Sequence, residues 1–153
     1  MESSVAMSFA ELTATPDRFF SFLPDDWSVE IAPLWQGYAQ TGSRIFALLE
    51  NEKIVAGGIV FNTVSPDTQG YASIAQRYFD SGRLYIAFVF VSPAERGKGY
   101  GSLWVQKLRK HMPQQPFWLA IEDAALVKFY EPLGFTVIET VNNEGATEWV
   151  LVD

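Results

Sequence analysis

Cysteine is absent from the 153 residues, and histidine occurs once, as His111. Disulfides, thiolate metal sites and cysteine nucleophiles are thereby excluded, and a single imidazole leaves too few soft ligands for a structural zinc. The same scarcity argues against transition-metal catalysis and a Ser/His triad, so no metal is expected. No run of 18 apolar residues could span a bilayer, and Glu2 stands where a secretory leader carries basic residues. The expected setting is the cytoplasm, without membrane attachment. Cations are outnumbered, 11 Lys and Arg against 18 Asp and Glu, for a net charge of −7. Neither nucleic acid nor an anionic membrane attracts an acidic body, so a cationic or neutral partner is expected.

What the chain does have is apolar mass: 48% of its residues, with twelve Phe and five Trp, enough to bury one core. Repeats, low-complexity tracts and linkers are lacking, so residues 1–153 read as a single domain. An opening strand is expected around Val5–Leu12, then aromatic-rich helices at Pro16–Phe22, with Thr15 as N-cap, and Ser28–Gln40, separated by a turn at Leu23–Trp27. Arg44–Glu50 and Ile54–Val64 read as a hairpin, and a long connection over 65–82 holds a short helix near Tyr71–Phe79. Leu84–Val91 is almost wholly apolar, as in a strand buried on both faces. A glycine-rich stretch then leads into a helix ending at His111, where the imidazole reads as a dipole partner. Phe117–Ile121 reads as a central strand, Asp123 as the N-cap of a short helix Ala124–Tyr130, and Phe135–Val141 and Thr147–Val152 as a closing hairpin. This order predicts a mixed α/β fold with a central sheet.

The sharpest local feature is Arg96-Gly97-Lys98-Gly99-Tyr100-Gly101, where a buried strand hands over to a helix. Alternate glycines let the backbone turn tightly and approach a ligand, and the helix's first amides are free to bind an anion such as phosphate. Arg96 and Lys98 put cations at a helix N-terminus, where they oppose the dipole unless an anion offsets them. Five of the eleven basic residues fall between 96 and 110. A P-loop would need Gly-Lys-Ser/Thr, and a dinucleotide fingerprint a third glycine where Ser102 stands, so neither fits. A tight structural loop with solvated charges accounts for the glycines equally well on their own.

Residues 96–101 resemble the R/Q-x-x-G-x-G/A acyl-CoA pyrophosphate signature of the GNAT acyltransferase superfamily, following a strand that ends Val91-Ser92-Pro93. A second block, Phe129-Tyr130-Glu131-Pro132-Leu133-Gly134-Phe135, resembles the family's Y-x-x-x-G-F. The resemblance is strong over about residues 84–135, loose in the flanking hairpins and absent from the first forty. It implies a mixed, mostly antiparallel sheet flanked by helices, and direct transfer of an acetyl or short acyl group from acetyl-CoA to a primary amine on a small molecule or peptide. Val89, Phe90 and Val91 would hold the pantetheine arm and polarise the thioester carbonyl through an N–H. Arg96, Gly97, Lys98, Gly99, Tyr100, Gly101 and Ser102 would bind the pyrophosphate, and Tyr130 would protonate the departing thiolate.

Two departures stand out. Asp123 occupies a position where the family often has a cofactor-binding Asn, and it reads first as an N-cap, second as a cofactor contact. Leu84–Val91 contains no carboxylate to act as base; Glu122 is the nearest, reading first as a solvated strand end. The alternatives are therefore a catalytically inactive GNAT-like domain that only binds acyl-CoA, or an interaction protein that has lost the cofactor. Phe19, Phe20, Phe22, Trp27, Trp35 and Tyr38 read as packing, though in the family this region walls the acceptor site. Asp25 and Asp26 read as a solvated turn. A homodimer is compatible with the resemblance.

Overall fold

The structure is a computed structural model that describes residues 7–153. Seven strands form one sheet in the order β1-β2-β3-β4-β5-β7-β6: β1 Met7–Glu11, β2 Arg44–Glu50, β3 Lys53–Phe61, β4 Leu84–Val91, β5 Phe117–Ile121, β6 Thr136–Asn143 and β7 Ala146–Val152. Neighbours run antiparallel except β4 and β5, which are parallel. Short helices α1 (Pro16–Phe20), α2 (Asp25–Ile31), α3 (Trp35–Thr41) and α4 (Ala72–Asp80) cover one face. The other face carries α5 (Tyr100–His111) and α6 (Val127–Tyr130). Both faces of the central strands are therefore dry, and the mixed, mostly antiparallel sheet expected from the sequence is present.

Strand alternation sorts the core into two layers. Ile45, Ala47, Ile59, Phe61, Tyr85 and Trp118 point to the α1–α4 face, while Phe46, Leu48, Val60, Ile86, Phe117 and Leu119 point to the α5 face. Consecutive Gly57 and Gly58 open the middle of β3 on opposite sides. A Cβ at Gly57 would lie 2.6 Å from the Phe19 ring, and one at Gly58 would lie 2.8 Å from the Trp104 ring. The missing side chains thus admit one large aromatic from each helical layer, and the fully buried Trp104 donates its indole N–H to the Phe46 carbonyl at 3.0 Å.

Several expected boundaries shift for local reasons. The first strand is Met7–Glu11, and Val5 lies outside the described residues. The first helix ends at Phe20, and the Thr15 side chain makes no capping bond. The expected helix over 28–40 is two helices joined by a 3-10 turn at Ala32–Leu34, because Pro33 has no N–H to continue the ladder. Asp25 and Asp26 are the first turn of α2 rather than part of a loop, where their charge suits the helix dipole. β3 stops at Phe61, and the connection after it carries a 3-10 turn at Pro66–Tyr71 before α4. The β2–β3 turn places Asn51 and Glu52 at φ 51° and 70°, the two-residue geometry that matches strand twist.

Candidate active site

Parallel pairing between β4 and β5 is limited to Leu84 with Phe117 and Tyr85 with Trp118. Beyond these pairs the strands part, which leaves a wedge between the second half of β4 and the end of β5. On its other edge β4 stays paired with β3 through a bulge between Gly57 and Ile59, opposite which Phe88 takes φ 55°. A left-handed conformation at a bulky residue is strained, and such strain persists only where the surroundings fix it. The second half of β4 is correspondingly only half-buried, from Phe88 to Val91, rather than buried on both faces as the apolar sequence predicts. Val89 and Val91 point toward α5, while Phe88 and Phe90 point toward α1 and α2. Because Ser92 N–H donates back to Val55 O at 2.9 Å, alternation turns the polar groups of Val91 into the wedge. There its carbonyl accepts from Arg96 Nε at 3.4 Å.

The loop after β4 sits at the mouth of this wedge on the α5 side. Gly97 and Gly99 adopt φ 85° and 79°, and a Cβ at either would meet nothing within 4 Å. Backbone conformation, not crowding, calls for glycine at both positions, and the space over the loop is open. Gly101 differs: a Cβ there would lie 3.1 Å from the Phe129 ring and 3.5 Å from Val91, so its absence lets α5 close on α6 and β4. The first amides of α5, around Tyr100 to Ser102, have no intrahelical acceptor and face the loop. Arg96 holds its guanidinium 5.4 Å from the Phe90 ring centroid. Lys98 is paired with Glu95 at 2.6 Å, which offsets its unfavourable place at the helix start without any bound anion. Tyr100 Oη lies 3.4 Å from a Glu50 carboxylate oxygen.

Tyr130 ends α6 and is 8% exposed, in the same apolar layer as Val89, Val91 and Tyr100. The Phe129 and Phe135 rings meet it edge-on at 4.9 and 5.8 Å. Burial pushes its phenol up to about 12, which keeps the proton on the oxygen at neutral pH. Asp123 is a helix cap, as the sequence predicts, its carboxylate accepting from Ala125 N–H at 2.9 Å. Glu122 is exposed just beyond the end of β5.

The α1–α4 side of the sheet carries two groups of side chains. Phe22 and Trp27 close on Phe90 at 5.4 and 5.6 Å, and Trp27 reaches Phe88 at 6.3 Å. Of the six aromatics expected to pack, Phe19, Phe20 and Trp35 are core, whereas Phe22 and Trp27 are only partly buried and reach the β4 bulge. The second group is acidic and went unread in the sequence. Asp67, in the 66–71 turn, accepts from Tyr85 Oη at 2.6 Å and from Ser65. Glu148, on β7, accepts from Asn143 Nδ2 at 2.7 Å, and the same amide nitrogen donates to Asp67 O at 2.9 Å. Residues 76 positions apart meet here, a proximity that only the packing of the turn on the β6–β7 hairpin creates.

The sequence profile of the acetyltransferase (GNAT) family matches residues 11–135. No curated protein matches the chain. Among solved structures, Arabidopsis thaliana NAA60 in complex with acetyl-CoA superposes with a TM-score of 0.66 at 13% identity, over 97% of this chain and 98% of that one. The ribosomal-protein-S18-alanine N-acetyltransferase of Escherichia coli gives 0.63 at 17%, over 96% and 92%. An acyl-CoA N-acyltransferase of Pseudomonas aeruginosa gives 0.62 at 16%, over 97% and 99%. At these identities the structures establish a shared fold. A wedge beside a bulged β4, a glycine loop opening α5 and a profile match over most of the length lead to one assignment: the chain belongs to the GNAT acetyltransferase family, whose co-substrate is acetyl-CoA.

Proposed function

We propose that this protein is a cytoplasmic N-acetyltransferase that moves an acetyl group from acetyl-CoA directly to a primary amine of a small molecule or peptide. The observation that carries the reading is the parting of β4 from β5 directly beside the Gly97–Ser102 helix start. The edge of β4 that parts from β5 suits an extended amide-bearing arm, and free amides over open space suit a pyrophosphate, so the residues present fit acetyl-CoA. Its thioester supplies an activated acetyl carbon.

In this reading the backbone of Val89, Phe90 and Val91 holds the arm as an added strand, and one N–H stabilises the charge that develops on the carbonyl oxygen. Gly97, Lys98, Gly99, Tyr100, Gly101 and Ser102 cradle the phosphates, and Arg96 braces the loop against Val91 and Phe90. Tyr130, neutral because it is buried, is the acid that protonates the leaving sulfur. Glu122, exposed just beyond the end of β5, is the nearest carboxylate to serve as the base. Asp123 supports the site by capping the turn that leads to α6.

Calorimetry of acetyl-CoA binding, with desulfo-CoA and NAD as comparators, tests the cofactor. CoA compounds alone should saturate the protein. Gly99→Val forces a β-branched residue to φ 79°, a strain of about 1–2 kcal/mol, and should weaken acetyl-CoA at least about tenfold. An unchanged dissociation constant would remove the loop from the cofactor site.

A further inference from the structure

We propose that Arg96 selects the acyl donor: its guanidinium covers the β4 edge that the pantetheine arm needs, and it yields that edge to a donor that carries a pyrophosphate. The inference rests on the acetyl-CoA reading and adds to it a residue that separates acetyl-CoA from shorter acetyl thioesters. Among the described residues, Arg96 is the one side chain that hydrogen-bonds to the backbone of residues 88–91.

Backbone alternation fixes what Arg96 covers. Ser92 N–H turns to β3, where it donates to Val55 O, so the Val91 carbonyl one residue earlier faces the parting of β4 from β5. An arm laid along that edge as an added strand donates an amide N–H to this carbonyl. Adjacent strands lie about 4.8 Å apart, and Arg96 Nε, 3.4 Å from the Val91 oxygen, stands in that lane. The guanidinium also lies over the Phe90 ring, 5.4 Å from its centroid. Phe22 and Trp27 meet the same ring edge-on at 5.4 and 5.6 Å, so the surface that backs the guanidinium is fixed from the α1–α2 side. Arg96 and the arm therefore compete for one edge.

The charges of the loop decide what displaces the guanidinium. Arg96 and Lys98 flank Gly97. Lys98 is committed to Glu95 at 2.6 Å. Arg96 is exposed and joins no carboxylate among the described residues, and its terminal nitrogens have no hydrogen-bond acceptor there. It is held by one long bond to a neutral carbonyl and by an exposed ring contact. Both are weaker than the paired, charge-assisted bonds that a guanidinium fork makes to phosphate. A pyrophosphate over the Gly97–Gly99 backbone, where a Cβ would meet nothing within 4 Å, offers the fork that better partner on the adjoining residues. The guanidinium then leaves Val91, and the arm of the same donor takes the edge. A thioester without the pyrophosphate must displace Arg96 with nothing to receive its charge.

S-Acetylpantetheine and inorganic pyrophosphate, added separately to the full chain at constant ionic strength, test the coupling. Saturating pyrophosphate should tighten S-acetylpantetheine on the wild-type protein at least about fivefold. Arg96→Ala should bind S-acetylpantetheine at least about fivefold tighter than the wild type when pyrophosphate is absent, and added pyrophosphate should change that affinity less than about twofold. An arginine that only braces the loop gives the opposite result, weaker S-acetylpantetheine in the variant, and that outcome overturns the proposal. An equal effect of pyrophosphate on both proteins does the same. The second readout is the nitrogen-15 arginine Nε–H signal of Arg96 in the wild-type protein, assigned with Arg96→Lys. Pyrophosphate should move its proton downfield as the group leaves the face of Phe90, and an unmoved signal refutes the exchange. Failure of the acetyl-CoA reading looks different: neither protein then binds acetyl-CoA or S-acetylpantetheine, and the proposal falls with it.

Discussion

At the scale of single residues, the environment assigns opposite tasks to groups that look alike in the sequence. Six tyrosines occur in the chain. Tyr130 is separated from Tyr85 by what surrounds the oxygen. Tyr85 donates to Asp67 and is bound into the sheet face, whereas Tyr130 lies among phenylalanine rings and is raised by burial alone. Burial keeps that proton on the phenol at neutral pH, so Tyr130 presents an O–H rather than a phenolate to any group beside it. Tyr130→Phe should therefore lower kcat about 10- to 100-fold while acetyl-CoA affinity stays within about twofold, as measured by thiol release and calorimetry on the same preparation. Equal turnover in the variant would mean that water protonates the sulfur.

At the scale of elements, the site exists because two strands that begin as neighbours do not remain so. Tyr85 and Trp118 close the last parallel pair, and their rings stack at 4.3 Å; past them the Phe88 bulge turns β4 away from β5. β3 anchors the other edge, and its Gly57-Gly58 step lets Phe19 and Trp104 press on the sheet from both faces. Gly58→Ala would drive a methyl to within 2.8 Å of the Trp104 ring. That overpacking should cost about 1–3 kcal/mol and lower the melting temperature by several degrees, with a second loss in acetyl-CoA affinity because Trp104 belongs to α5, whose start forms the loop. Calorimetric melting of both proteins checks the first effect; an unchanged melting temperature would mean that the indole has room to move.

At the scale of the whole molecule, buried acids dominate the dependence of stability on pH. Tyr71, Tyr78, Tyr85 and Tyr130 are all raised, burial being the first cause in each. A raised pKa means that the folded protein keeps a proton the unfolded chain releases, so this stabilisation is complete below the unfolded value and is lost as pH rises through the folded one. For Tyr130 the window runs from 10.0 to about 12, worth about 2–3 kcal/mol, and cooperative alkaline unfolding is expected within it, followed by tyrosinate absorbance. Asp67 and Glu148 obey the same sign at lower pH. The protein should gain stability as pH falls from neutrality toward the ordinary carboxylate range, the reverse of an acid-labile protein held by ion pairs.

Arg44–Glu50, Leu84–Val91 and Phe117–Ile121 match the strands read from alternation and apolar runs, because local patterning dictates where backbone is extended and which side chains leave water. The helix start at 96–102 was equally legible, since glycine at φ above zero is a requirement of the local backbone. The break at Pro33 was legible too, and missing it joined α2 to α3. Nothing local marks the parting of β4 from β5, the bulge at Phe88, or the meeting of Asp67 with Glu148 and Tyr71. Those depend on which strands become neighbours, and pairing partners far apart along the chain are chosen by the packing of both sheet faces at once. The sequence by itself thus determined the elements and the glycine loop that opens α5; tertiary structure alone decided that Asp67, Glu122 and Glu148 come near one another, because burial and cross-strand register are properties of the assembled sheet.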